Sequence, residues 1–224
     1  MSNTARLASL YPFLAGTRQD ADTLDATLLT SIAAKAGDGR HTSERFFAAE
    51  GPKLLAAARA LAGTYENGGR LYTMGNGGSS CDAAHIAVEF LHPVTAGRPA
   101  LPAINLTADT AMMSAIGNDL GFQHAFVRPL LAQARKGDAV IGISTSGNAV
   151  NVLAAFDAAK NIGMATIALT GGDGGKMRIS PSVDHFLSVP SDSIHRIQEC
   201  HIAAYHILWD LVHTLLADRR GSAA

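Results

Sequence analysis

The sequence predicts an α/β fold in which helices flank a parallel sheet of five strands and a helical region precedes the sheet. Three observations support this prediction. Five short apolar runs alternate with segments of helical periodicity, which is the pattern of strands connected by helices. Two turns rich in glycine and hydroxyl residues each follow an apolar run and open a helical segment. The fifth run leads into a long helical segment near the C-terminus, so we expect both faces of the sheet to be covered.

The N-terminal part of the chain is predicted to be helical. Residues 1–20 have little periodicity and are expected to form an arm or a short helix. Apolar residues then occur at helical spacing in 22–35, 41–50 and 52–65. The Gly-Asp-Gly sequence at 37–39 is expected to separate the first two of these helices. We assign residues 1–45 to an N-terminal helical arm and residues 46–224 to the domain that contains the sheet.

Beyond this region, predicted strands and helices alternate. The predicted strands are 70–74, 103–106, 139–143, 165–169 and 186–189. The predicted helices are about 80–91, 109–117, 124–135, 149–162 and 194–216. Because connections between parallel strands are right-handed, the carboxyl ends of the strands are expected at one edge of the sheet, together with both glycine-rich turns.

Composition and charge limit the classes of protein. Of the 224 residues, 47% are hydrophobic and 17% are charged, which provides enough apolar material for a sizeable core. The formal net charge is −1 without a basic patch, so we expect no nucleic-acid partner. His206, Asp210 and His213 interrupt the apolar stretch near the C-terminus, and no membrane span is expected. No signal peptide is evident and only Cys81 and Cys200 occur, which predicts a cytoplasmic protein without disulfides.

Two turns are candidates for binding a phosphate group. Residues 75–80 have the sequence Gly-Asn-Gly-Gly-Ser-Ser, and residues 144–148 have the sequence Ser-Thr-Ser-Gly-Asn. Glycine lets the backbone approach an anion, helix N–H groups point toward it, and hydroxyl groups donate further hydrogen bonds. Neither turn matches the lysine-containing loop of nucleotide-binding proteins or the dinucleotide fingerprint. The turns therefore predict a small phosphorylated metabolite, with sugar phosphates as the first candidates.

His85 and Glu89 form a candidate site for a metal ion or for proton transfer. On a helix their spacing places both side chains on one face, and imidazole and carboxylate suit a divalent metal such as zinc. An ordinary surface pair is the alternative, and it is commoner for an isolated motif of this kind. In the C-terminal helix, Gln198 and His206 are separated by about 12 Å of helical rise, so their spacing alone supports a shared ion only weakly. Each further histidine of this helix is expected to be hydrogen-bonded or at the surface.

Three other features have plain structural interpretations. Asn118 and Asp119 follow a helical segment, where such residues are ordinary components of a turn. Cys81 has no base beside it in the sequence and is expected to be a small buried residue. Trp209 and its apolar neighbours have helical spacing, which favours packing in the core or between subunits.

Several stretches of the chain occur in an order that is typical of one family. They are Gly75–Ser79, His85-x-x-x-Glu89-Phe90, Arg98-Pro99-x-x-Pro102-Ala103, Gly117-Asn118-Asp119-x-Gly121, Gly137-Asp138 with Ser144–Asn148, Leu169–Met177, and Arg196-Ile197-Gln198-Glu199-x-His201. Taken together they resemble the phosphoheptose isomerases of the sugar isomerase (SIS) domain family. The match runs continuously over about residues 50–215, whereas the N-terminal arm is longer than the family requires.

The resemblance implies a single SIS domain that converts sedoheptulose 7-phosphate to D-glycero-D-manno-heptose 7-phosphate through an enediol. It implies proton transfer by Glu89 and His206, and assembly as a homotetramer. It also implies one zinc ion per subunit, bound by His85, Glu89, Gln198 and His206. The substrate contacts that it implies are Asn76, Gly77, Gly78, Ser79, Glu89, Asn118, Asp119, Ser144, Thr145, Ser146 and Gln198.

Three positions depart from the family pattern and leave the exact sugar phosphate open. Ala149 stands where family members usually have a serine, and the segment around Pro93 lacks an arginine that is normally near the site. His195 replaces an acidic residue found in some members. Arg98 and Lys176 are the candidates to compensate for the missing arginine. Isomerisation of another sugar phosphate is therefore an alternative.

Two further functions compete with catalysis. SIS domains also occur as non-catalytic interaction proteins, including a type that binds the bacterial replication initiator and tends to lack the acid at the position of Glu89. This chain keeps His85, Glu89, Gln198 and His206 together, which favours an enzyme. A regulatory module that senses sugar phosphates ranks third, because the sequence contains no helix-turn-helix or basic segment.

Overall fold

The computed structural model describes residues 21–221, with side chains up to residue 218. It begins with one long helix, α1 (Ala21–Glu66), of 46 residues. The prediction of three separate helices is wrong, since residues 37–39 and Pro52 all lie within α1. The expectation for residues 1–20 lies outside the described residues.

Close packing explains why Gly39 does not end α1. A Cβ atom at position 39 would lie 3.0 Å from Oε2 of Glu199, so glycine allows a close approach at this point. A glycine keeps its backbone N–H and costs only about 1 kcal/mol in a helix interior. Burial of an apolar face further along the helix outweighs that cost. The buried apolar residues of α1 are Phe46, Leu54, Ala57, Ala58, Leu61, Ala62 and Tyr65.

By its internal contacts the chain divides into two units, residues 1–38 and 39–224. In the first unit, the described residues 21–38 belong to α1 and expose Leu24, Leu28 and Ile32. The second unit contains the rest of α1 and every strand of the described chain. The domain boundary that we place after residue 45 stays a prediction.

Strands and helices alternate from residue 71 onward, as predicted. The strands are β1 (Leu71–Gly75), β2 (Ala103–Asn105), β3 (Ala139–Ser144), β4 (Ala165–Gly171) and β5 (His185–Val189). The helices are α2 (Gly78–Leu91), α3 (Thr110–Asp119), α4 (Val127–Gln133), α5 (Val150–Ile162) and α6 (Ile194–Gly221). Short 3-10 helices cover Phe122–His124 and Gly175–Ile179. None of the helices within residues 21–221 is long and apolar enough to cross a membrane.

The strands form one parallel sheet in the order β2-β1-β3-β4-β5, which confirms the predicted fold class. After β1 the chain adds β2 at one side, and it then returns to place β3 at the other side of β1. In open α/β sheets, ligands bind outside the carboxyl ends of the strands where the order reverses in this way. Gly75 and Ile143 are partners in the register of β1 and β3. The two glycine-rich turns therefore leave the sheet side by side.

Helices cover both faces of the sheet and form two buried clusters. One cluster contains residues of α1, α2 and α6, and the other contains residues of α4 and α5. Successive strand residues point to opposite faces: Leu71 and Ile141 belong to the first cluster, and Tyr72 and Val140 belong to the second. This layering places α2 and α6 on the same face, where they meet beside the turn that follows β1.

Candidate active site

Helices α2 and α6 run side by side in the same direction. Nδ1 of His85 lies 2.8 Å from the hydroxyl oxygen of Tyr205, and Nε1 of Trp209 donates to the carbonyl oxygen of Glu89 at 2.7 Å. In both pairs the partners are 120 residues apart in the chain. Position 78 and Gln198, which have the same separation, also meet. The constant separation shows that the helices are parallel and remain in register from the first turn of α2 to its last.

The side chains of His85, Glu89 and His206, here called the His-Glu-His group, lie together where the two helices meet. One ligand atom of each side chain lies within 4.8 Å of the other two. Nε2 of His85 is 3.1 Å from Oε1 of Glu89, and the rings of His85 and His206 have centroids 5.1 Å apart. The side chain of His85 is 45% exposed and that of Glu89 is 20% exposed. Two imidazoles and a carboxylate at this spacing fit a divalent metal ion such as zinc.

Gln198, a residue of α6, contacts the beginning of α2. A Cβ atom at Gly78 would lie 2.3 Å from Nε2 of Gln198, so the amide rests directly on the backbone of the first residue of α2. Gly78 precedes His85 by about 10 Å of helical rise. The His-Glu-His group is formed without Gln198, whose amide borders the turn between β1 and α2.

The turn between β1 and α2 contains Asn76, Gly77, Gly78 and Ser79. Gly77 has a φ of 54° and stands at the N-terminus of α2, where no side chain caps the helix. In this first helical turn the N–H of Ser80 donates to the carbonyl oxygen of Gly77 at 3.0 Å. The N–H of Gly78 remains for another acceptor, and the helix dipole favours an anion there. Ser79 is buried, and its N–H donates to the carbonyl oxygen of Asn76 at 3.0 Å. This geometry suits a phosphate oxygen.

The turn after β3 supplies hydroxyl groups at the same edge of the sheet. Ser144 is the last residue of β3 and is buried, whereas Ser146 is exposed and Thr145 is intermediate. The N–H of Gly147 donates to the carbonyl oxygen of Ser144 at 2.9 Å, which closes the turn. Ala149 then stands at the N-terminus of α5 and provides no capping group. Because β1 and β3 are neighbours, these hydroxyl groups and the start of α2 lie at the same edge of the sheet.

A pair of asparagines joins the two turns. Nδ2 of Asn76 donates to Oδ1 of Asn151 at 2.8 Å, and Nδ2 of Asn151 donates to Oδ1 of Asn76 at 2.9 Å. Asn151 lies in the first turn of α5 and is only 4% exposed. It is not among the residues that we predict from the sequence, although a polar residue on the apolar face of a helix was the available signal. That buried face of α5 consists of Asn151, Val152, Ala155, Phe156 and Ala159.

Asn118 and Asp119 lie at the end of α3 and are exposed. Nδ2 of Asn118 donates to Oδ1 of Asp119 at 2.7 Å. In the part of the chain that the structure describes, no hydrogen bond joins either side chain to the two turns or to the His-Glu-His group. Their role as substrate contacts therefore stays a prediction.

Single residues on α2 and α6 give one correction and one confirmation. Cys81 is exposed rather than buried, because it falls on the face of α2 opposite to Ala83, Ile86 and Phe90.

Trp209 is buried, as predicted. The guanidinium of Arg98 lies over its ring, with Cζ 4.4 Å from the centroid, and pairs with Asp210. Arg98 is therefore engaged with α6, and Lys176, the other candidate to replace the missing arginine, is exposed.

Burial and charge act on two groups beside the His-Glu-His group. Burial raises the pKa of the Tyr205 hydroxyl, and the carboxylates of Asp82 and Glu89 raise it further. Burial also raises the pKa of Asp82, which the charge of His85 opposes. Oδ2 of Asp82 is buried and has no hydrogen-bond partner within the described residues. Tyr205 therefore stays a neutral hydroxyl group at physiological pH.

His201 is a buried core residue and matches the plain interpretation of the further histidines on α6. It is 1% exposed, and its Nε2 donates to the carbonyl oxygen of Thr170 at 2.9 Å. Burial lowers its pKa to about 4, although the hydrogen bond to Thr170 acts in the opposite direction. The ring is therefore neutral and joins α6 to β4 without taking part in the site.

Comparison with known proteins agrees with this fold and site. A SIS domain profile matches residues 37–171. Phosphoheptose isomerase of Desulfovibrio desulfuricans is 43% identical over 202 residues, which cover 90% of this chain and 95% of that protein. Phosphoheptose isomerase of Chlorobium limicola is 48% identical over 166 residues, which cover 73% of this chain and 77% of that protein.

Solved structures show the same relationship. Phosphoheptose isomerase of Neisseria gonorrhoeae superposes with a TM-score of 0.78 at 36% identity, over 84% of this chain and 99% of that one. The enzyme of Francisella tularensis gives a TM-score of 0.73 at 35% identity, over 88% of this chain and all of that one (100%). The sheet order, the two turns and the profile define a SIS-domain protein. Within that class, the chain belongs to the phosphoheptose isomerase family.

Proposed function

We propose that the chain is an aldose–ketose isomerase that converts sedoheptulose 7-phosphate to D-glycero-D-manno-heptose 7-phosphate. The observation that carries the proposal is the His-Glu-His group on two helices in register, one of which begins at the phosphate-type turn. Two relatives that are identical to this chain at more than two fifths of the aligned residues are phosphoheptose isomerases. The proposal therefore combines proton-transfer groups with an anion site at the start of the helix that carries His85 and Glu89.

The phosphate group is proposed to bind where the two turns meet. At the uncapped start of α2, the N–H of Gly78 and the positive end of the helix dipole face its oxygens. Hydroxyl groups of Ser79, Ser144, Thr145 and Ser146 complete the set of donors. The proposed contacts to the sugar are Asn76, Gly77, Gly78, Glu89, Asn118, Asp119 and Gln198. The anion would hold the reacting carbons near the His-Glu-His group, further along α2.

Isomerisation requires two coupled proton movements. A base removes one proton from C1 of the ketose, the electrons form a C1–C2 double bond, and the carbonyl oxygen on C2 takes up a proton to give the cis-enediol. A proton then returns to C2 while the hydroxyl on C1 loses its own and becomes the aldehyde. We assign the carbon-bound proton to Glu89 and the oxygen-bound proton to His206. Positioned groups of this kind contribute about 10²–10⁴ in rate.

Zinc is the proposed cofactor, one ion per subunit, with His85, Glu89, Gln198 and His206 as ligands. The donor set of the His-Glu-His group fits this ion. Gln198 is assigned as the fourth ligand from the resemblance to the family, since its amide rests on Gly78, about 10 Å of helical rise from His85. When bound, zinc polarises the oxygen atoms of the substrate and stabilises negative charge on them. Oε1 of Glu89 faces His85, which leaves Oε2 of the same carboxylate for the proton on C1.

A homotetramer in the cytoplasm is the proposed form of the enzyme. Leu24, Leu28 and Ile32 recur at intervals of four residues on α1 and are exposed, a pattern that suits packing of helices between copies. Cys81 and Cys200 are both free thiols, which suits a reducing compartment. Light scattering of the purified protein is expected to give four times the chain mass, and a monomer would contradict the assembly.

The test of the function is an assay with sedoheptulose 7-phosphate in which NMR follows formation of the aldose, with and without added zinc. Turnover that depends on zinc is the expected result. If the protein is folded and supplied with zinc but shows no turnover, the proposed activity on heptose phosphate is refuted. This result would leave isomerisation of another sugar phosphate, or the role of a non-catalytic interaction protein, as the functions to examine.

A further inference from the structure

Both ring nitrogens of His85 have a defined neighbour. Nε2 faces the His-Glu-His group, 3.1 Å from Oε1 of Glu89, and Nδ1 lies 2.8 Å from the hydroxyl oxygen of Tyr205. In a neutral imidazole one nitrogen carries a proton and the other accepts a hydrogen bond. The group that faces Nδ1 therefore influences whether Nε2 carries a proton or offers a lone pair.

Tyr205 is placed to hold this ring in a fixed orientation. It is 2% exposed, and its ring meets the ring of His85 with centroids 5.4 Å apart and an interplanar angle of 76°. Its centroid is 4.8 Å from that of His206, the next residue on α6. One buried ring thus contacts both imidazoles of the His-Glu-His group, one from each helix, and packing fixes where its hydroxyl group lies.

We propose that Tyr205 is a positioning residue for a metal ligand, whose hydroxyl group orients His85 and pairs with Nδ1 in both tautomers of the ring. The proposal rests on the metal site of the proposed function. In the metal-free protein, the Nε2–H of His85 donates to Glu89, and the Tyr205 O–H donates to Nδ1. A metal ion needs the lone pair of Nε2, so the ring proton then sits on Nδ1 and is donated to the Tyr205 oxygen.

A hydroxyl group is suited to this exchange because it both donates and accepts hydrogen bonds. A carboxylate in its place would pair only with Nδ1–H, and a phenyl ring would pair with neither tautomer. When the Tyr205 oxygen accepts from Nδ1–H, its own proton needs another acceptor. Asp82 lies one turn before His85 on α2 and keeps a buried Oδ2 without a hydrogen-bond partner in the described chain. We assign Asp82 as that acceptor in the metal-bound protein.

The first test is the zinc affinity of the full-length protein with Tyr205→Phe, measured by competition with a chromophoric chelator. The expected result is a dissociation constant about 10–100-fold larger than that of the wild type, the range found when an outer partner of a metal-bound histidine is lost. Tyr65→Phe is the matched control. It also removes a buried tyrosine hydroxyl, one without a hydrogen-bond partner among the described residues, and is expected to leave the zinc affinity unchanged.

The second test needs no substitution and records the histidine nitrogens of the isotope-labelled wild type by NMR. His85 is expected to be protonated at Nε2 without metal and at Nδ1 with zinc. Equal zinc affinity of the wild type and Tyr205→Phe, or a proton that stays on the same nitrogen, overturns the proposal. Turnover measured on the same samples separates the two ideas. If the wild type is active and Tyr205→Phe binds zinc as tightly as the wild type, only the role of Tyr205 is refuted. If Tyr205→Phe binds zinc more weakly but the wild type itself shows no turnover, only the isomerase function is refuted.

Discussion

Nε1 of Trp209 donates a hydrogen bond to the backbone carbonyl oxygen of Glu89 at 2.7 Å. In a continuous helix that oxygen would accept from the residue four positions later, which here is Pro93 and has no N–H. Helix α2 ends at Leu91, so Trp209 supplies the donor that the backbone lacks. The proposed base is thereby attached to α6 through its main chain, while its side chain belongs to the His-Glu-His group.

Trp209→Phe is expected to lower the free energy of unfolding by about 1–3 kcal/mol, because it leaves this carbonyl oxygen without its donor. Trp209 is the single tryptophan of the chain, so urea unfolding should be followed by circular dichroism. Pro93→Ala restores a backbone N–H, which reaches the same oxygen when α2 extends beyond His92, whose φ of −136° and ψ of 69° end the helix in the wild type. In the Pro93→Ala background, Trp209→Phe should therefore cost less, and an equal cost in both backgrounds would contradict the explanation.

Glu89→Gln is expected to keep the fold and the binding of substrate but to lower turnover at least ~10²-fold, because the amide cannot accept the proton from C1. Formation of the aldose by NMR measures turnover, and calorimetric titration measures binding. Glu66→Gln is the matched control, since Glu66 ends α1 just before the amino end of β1. Turnover close to that of the wild type in Glu89→Gln would remove Glu89 from the mechanism.

Asn151→Ala is expected to raise KM about tenfold and to change kcat much less, because it releases Asn76 from the reciprocal pair that aligns the two turns. The loss of such hydrogen bonds is worth about 1–1.5 kcal/mol in binding. Steady-state kinetics against sedoheptulose 7-phosphate separates the two constants. Ala158→Ser, toward the other end of α5, serves as a control on the same helix. A fall confined to kcat would show that Asn151 does not act through the phosphate turn.

Stability is expected to fall with pH between about 6.5 and 4 because of His201. Its pKa is lowered from 6.5 to about 4 by burial, so in this window the unfolded chain binds a proton that the folded chain does not. The stability that neutral, buried His201 contributes is fully present above pH 6.5. Because of this residue, the free energy of unfolding is lower by about 3 kcal/mol once the pH reaches 4. His201→Gln keeps a donor for Thr170 without titrating. Its free energy of unfolding should therefore depend less on pH, and profiles that run parallel to the wild type would contradict the assignment.

The strands and the two turns could be predicted from the sequence because their signals are local. An apolar run followed by Gly75 to Ser80, or by Ser144 to Asn148, identifies the end of a buried strand without knowledge of its neighbours. The His85 and Glu89 pair is local in the same sense. The continuity of α1 was not predictable from residues 37–39, because the packing of Gly39 against Glu199 depends on a helix far along the chain.

The partners of the site residues could not be predicted for the same physical reason. Asn151 and Tyr205 act on residues that are 75 and 120 positions away. The polar side chain on the apolar face of α5 marks Asn151 as unusual but does not identify its partner, and Tyr205 has no such local signal. The position of Gln198 follows from the close approach of α6 to Gly78, a tertiary contact. The spacing of residues within one helix predicts which side chains share a face. The register between α2 and α6 determines which of these side chains come into contact.

The separation of 120 residues between partners on α2 and α6 has a consequence for biosynthesis. On the ribosome, α6 follows α2 by about 120 residues, so His85 and Glu89 are synthesised well before their partners on α6. A nascent or prematurely terminated chain that lacks α6 holds the anion turn but lacks His206. Under the proposed mechanism, catalytic competence therefore arrives with the docking of α6, and copies of the protein without this helix are expected to be inactive.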